Sequence, residues 1–130
     1  MEQTQKAQLI TTVVKFGLFF GIIGFAYYKI ANIFTKMKPD TRYSPSNINA
    51  GEAKSRADAL YAAMYGVGAS FDTVSLNLTG INHNGYIEVF NAFGKKRGAD
   101  FKDLNLTEWI TSQFSGDDLS KLRFIINGFF

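Results

Sequence analysis

Cysteine is absent from the 130-residue chain, which excludes a disulfide framework and any thiolate metal site. Histidine occurs once, at His83, in the turn Asn82-His83-Asn84-Gly85. No serine or cysteine arrangement surrounds it, so it reads as a solvated or capping residue rather than a catalytic base. Glu88 and Glu108 could meet only through tertiary packing, which leaves glycosidase chemistry without support. No phosphate loop or dinucleotide fingerprint is present, and Gly66-Val67-Gly68 follows no strand. Two Asn-x-Thr triplets, at Asn77 and Asn105, match a glycosylation pattern but read more simply as helix ends. The expectation is a protein that is not an enzyme and needs no cofactor.

The formal net charge of +3 is unevenly spread. Residues 1 to 45 hold six bases against two acids, and residues 46 to 130 hold eight bases against nine acids. A basic excess confined to the first third is a membrane-flanking feature and not a nucleic-acid footprint. No nucleic-acid partner is expected.

What the chain does have is a long, largely apolar run from Leu9 to Phe34 whose only charges are Lys15 and Lys29. A helix of about 20 residues crosses the ~30 Å hydrocarbon layer, and only a helix satisfies its own backbone there. Between Phe16 and Tyr28 every helical face is apolar or glycine, unlike the one polar face of a buried core helix. The start MEQTQK has no strongly basic character and no clean small-residue cleavage site follows the run, so an uncleaved anchor is expected rather than a signal peptide. Lys15 and Lys29 mark the two ends of the apolar centre, and Tyr27 and Tyr28 form an interfacial belt beside Lys29. Lys36, Lys38 and Arg42 follow the span closely, whereas Lys6 before it is opposed by Glu2, which orients the C-terminal part toward the cytoplasm. Gly17 and Gly21 make a GxxxG spacing that permits helix–helix self-association.

Residues 1 to 8 read as a polar tail, 9 to 34 as the span, 35 to 48 as a semi-extended linker and 49 to 130 as a small helical domain. Pro39, Pro45 and the Ser, Thr and Asn around them prevent helix, and such a linker reaches about 45 Å at full stretch. After it the helical signals are dense. Asn49 caps a helix from about Ala50 to Met64, with Ala53, Ala57, Leu60 and Met64 at three- and four-residue steps. Ser70 caps a short second helix closed by Gly80, and Asn82 caps a third that stops at Gly94. The block Lys95, Lys96, Arg97 then suits the helix's C-terminal dipole, with lipid headgroups or phosphate as the functional alternative. Thr107 starts a fourth helix, and Ser115 with Asp118 caps a fifth. The domain is therefore expected to be all-α with five short helices. The terminal Phe129 and Phe130 either fold back on the bundle or insert into a neighbouring protein or bilayer surface.

Three stretches, ADALYAAMYGVG from Ala57, NAFGKKRGADF from Asn91 and ITSQFSGDDLSKL from Ile110, resemble a single annexin-type repeat in spacing and residue type. The resemblance covers about 75 residues and implies a right-handed five-helix bundle. In that family the carbonyls of a Gly-x-Gly turn and a distant carboxylate bind calcium. Here the turn is Gly66-Val67-Gly68, Ala69 stands where threonine is usual, and the acidic position aligns with neutral Gln113. Gly66, Gly68 and Gln113 are thus weak calcium candidates, with Asp72 or Asp117 as the only substitutes, and no metal is expected.

The leading expectation is a single-pass membrane-anchored structural protein. It reads most simply as a minor capsid-associated membrane protein of a lipid-containing bacteriophage, joining bilayer to protein shell. Its expected partners are the lipid bilayer and other structural proteins of a large assembly, contacted through Phe129, Phe130, Lys95, Lys96 and Arg97. A membrane-tethered lipid- or calcium-responsive module and an accessory subunit of a bacterial membrane complex are the alternatives.

Overall fold

The computed structural model describes residues 33–66, 68–98 and 101–130. Five helices follow one another: α1 Ala50–Met64, α2 Phe71–Leu78, α3 His83–Phe93, α4 Leu106–Gln113 and α5 Asp117–Ile125. Between α3 and α4 a two-residue antiparallel ladder pairs β1 Lys96–Arg97 with β2 Asp103–Leu104, Lys96 opposite Leu104 and Arg97 opposite Asp103. The domain is therefore mostly helical, with a hairpin too short for period-two alternation to register in the sequence.

Each of the first four helices starts at a side-chain cap. Asn49 accepts from the Glu52 amide, Ser70 from Thr73, Asn82 from Gly85 and Asn105 from Glu108. Each cap satisfies one of the orphan amides that open a helix, a contribution of about 1 kcal/mol. In α4 the Glu108 carboxylate also accepts from the Asn105 amide, completing a capping box that starts the helix at Leu106 instead of Thr107. No side chain caps α5: Gly116, at φ 53°, turns the chain into Asp117, where Ser115 and Asp118 were expected to serve.

The core lies where α1 packs against α2 and α3. Ala53, Ala57, Leu60 and Met64 line the inward face of α1, and they join Val74, Leu78, Tyr86, Val89 and Phe93 in one buried cluster. Burial of a side chain such as Leu60 contributes about 1.5–3 kcal/mol. The Arg56 guanidinium reaches across, donating to the Asn77 carbonyl at 2.8 Å and the Thr79 carbonyl at 3.3 Å while Glu52 accepts its other N–H groups. It thereby covers the open carbonyls at the end of α2.

Residues 35 to 48, expected as a semi-extended linker, belong to the compact unit that runs from Phe34 to Phe130. They are extended but lie along α3 as a strap. Prolines and polar residues forbid helix in this segment, as expected, yet its backbone amides and carbonyls find partners on the bundle. Ile33 and Phe34, the last residues of the predicted span, are not helical, and the Phe34 ring meets Phe90 at 5.5 Å. The rest of that span lies outside the described residues, and with it Lys15, Gly17, Gly21, Tyr27, Tyr28 and Lys29. Among the described residues no helix is long and apolar enough to cross a membrane.

Candidate functional site

Two features of the helical unit present themselves for recognition: the grip that α3 holds on the strap, and an aromatic cavity beside the hairpin. The strap grip is built from two asparagines on one face of α3. The Asn91 amide pairs with Met37 in both senses, its Oδ1 accepting from the Met37 N–H at 2.8 Å and its Nδ2 donating to the Met37 carbonyl at 2.9 Å. Asn84, buried, accepts from the Asp40 N–H at 2.7 Å and donates to the carbonyls of Asp40 at 3.0 Å and Ser44 at 2.7 Å. Below them Asn47 and Asn82 exchange side-chain bonds, and Asn82 also holds the Pro45 carbonyl. Gly85 gives these side chains room, since a Cβ there would lie 3.0 Å from Asn47 Oδ1 and 3.1 Å from Asn82 Oδ1.

Charge and ring stacking reinforce the strap. The Arg42 guanidinium donates to both oxygens of Asp40 and holds that carboxyl down to about 2. Tyr43 stacks flat on His83, centroids 3.9 Å apart, and Phe129 tilts against the same imidazole at 4.6 Å. The imidazole Nδ1 is buried there without a hydrogen-bond partner. Phe129 also lies 4.2 Å from the Tyr86 ring and Phe130 stands edge-on to it at 5.6 Å, so both terminal aromatics fold back on the bundle. Burial pushes the Tyr86 phenol up, against the opposing effect of its 2.8 Å bond with Thr107, and the group stays neutral.

The cavity, of about 510 Å³, opens between the end of α1, the hairpin and α4. Its walls are Tyr61, Met64 and Trp109, with Tyr61 perpendicular to Trp109 at 5.7 Å. The indole N–H donates to the Lys96 carbonyl at 2.9 Å, which fastens the hairpin to α4. Tyr65 and Phe101 stand at the mouth, 66% and 79% exposed. Phe101 sits at φ 64°, the only non-glycine positive φ among the described residues, because the turn from Gly98 to Lys102 closes on itself through two backbone bonds. Arg97 and Gln113 supply the polar edge.

Several residues singled out from the sequence meet here. Gly66, at φ 92°, and Gln113 line the same cavity, while Gly68 shares the left-handed backbone but not the lining. Among the described residues the lining contains no carboxylate, and no group of three or more His, Asp or Glu could hold a metal. The basic block does not cap α3. Gly94 ends that helix, and Lys96 and Arg97 enter β1, where the Lys96 ammonium lies 5.5 Å over the Tyr61 ring and Arg97 approaches Asp103 at 3.7 Å. Asn84, Asn91 and Phe101 were not singled out from the sequence. For the asparagines a signal existed, two amides on one face of a largely apolar helix.

Comparison of the chain with protein-family models, with curated proteins and with solved structures finds no match.

Proposed function

We propose that this chain is a membrane-anchored structural module, without enzymatic activity, that couples a bilayer to a protein assembly. A minor protein between the membrane and shell of a lipid-containing bacteriophage is the setting that suits it best. The apolar run from Leu9 supports the anchor, and the annexin-like order of helices supports a binding body rather than a catalytic one. The observation that carries the reading is the strap. Residues directly after the apolar run are gripped by Asn84 and Asn91, so tension on an anchor reaches the core through α3 and not through slack chain.

Fractionation of the producing cells or particles tests this. The full chain is expected to stay in the membrane pellet through alkaline carbonate washing and, after gentle detergent extraction, to travel with other structural proteins. Release by carbonate as a single unaccompanied chain would refute the proposal.

A further inference from the structure

The cavity beside the hairpin leaves two of its aromatic side chains largely in water. Phe101, at φ 64°, leaves most of its ring in water, as does Tyr65 of the same lining. Exposed aromatics around a concavity mark recognition surfaces. Arginine and aromatic residues are also the side chains enriched at the energetic centres of protein interfaces. Among the described residues Arg97 is the only charged one of the lining, and its ion pair with Asp103, at 3.7 Å, is longer than a close charge-assisted hydrogen bond. The described lining is thus aromatic with a single cationic side chain at its edge.

We infer that this cavity docks a segment of a partner protein in which an apolar or aromatic side chain lies beside a carboxylate. The apolar group enters between Tyr61 and Trp109, Phe101 and Tyr65 close over it, and Arg97 receives the carboxylate. The inference rests on the docking role proposed above and assigns it to one site.

The test uses the full chain in its own membranes, with Phe101 exchanged for photoreactive benzoylphenylalanine. Irradiation is expected to give one discrete protein adduct, with Asp or Glu within a few residues of an aromatic or aliphatic side chain in the captured segment. Arg97→Met is expected to lower the adduct yield by at least about tenfold, as loss of one partner of a desolvated charge pair does, and Arg97→Lys by less. An unchanged thermal melt of Arg97→Met confirms that the fold is intact. Adducts with lipid alone, a captured segment lacking an acid, or an Arg97→Met yield equal to the unsubstituted chain's overturns the inference. If gentle extracts contain the chain in a large assembly but position 101 captures nothing, this site is wrong and the structural role stands. If the chain extracts alone, that role fails first.

Discussion

The side chain of Asn84 satisfies Asp40 in both directions, taking its N–H at 2.7 Å and giving an N–H to its carbonyl at 3.0 Å. A buried primary amide thus stands in for a neighbouring strand. Asn84→Ala removes these bonds and the one to Ser44 at once. It is expected to destabilise the domain by about 2 kcal/mol, because partly buried backbone groups of the strap lose their partners and α3 its grip on them. Chemical denaturation measures this, and proteolysis should appear first between residues 34 and 48.

The strap should also respond to acid. Arg42 lowers the folded-state carboxyl of Asp40 from 3.8 to about 2, so its contribution is complete above the ordinary value and is lost as pH falls from 3.8 toward 2. Asp40→Asn is expected to flatten the acid limb of the stability curve in that window. Thermal melts of both chains between pH 5 and pH 2 check it.

His83 offers a test of opposite sign. Its buried Nδ1 has no partner and its ring lies between Tyr43 and Phe129. An apolar ring of similar shape avoids leaving a polar atom unsatisfied, so His83→Phe is expected to raise stability by about 1 kcal/mol. A fall in melting temperature would show that the imidazole is needed where it stands.

Phe101→Gly should stabilise the free chain by about 0.5 kcal/mol, since glycine adopts a positive φ without the steric cost that phenylalanine bears. The same substitution is expected to weaken partner capture. Denaturation midpoints and co-fractionation, measured on one preparation, register the two opposed effects.

Local signals carried the helical part of the fold. Asn49, Ser70 and Asn82 cap where their spacing places them, and the inward face of α1 follows its three- and four-residue steps. The start of α4 slipped by one residue because the Asn105–Glu108 box governs it. The strap was legible as non-helical but not as bound, since prolines report what a segment cannot form and nothing about which surface receives it. Gly66 and Gln113 could be paired through the spacing of a repeat, and they do share a cavity. Phe101 left no trace in the sequence, because its backbone angle comes from turn closure and not from its residue type.

The chain contains one tryptophan, and its indole N–H is the clasp between hairpin and α4. Release of that clasp would wet the ring and move its emission to longer wavelength. The protein therefore carries an unlabelled optical gauge at the cavity wall, able to report hairpin detachment while the remaining helices stay folded.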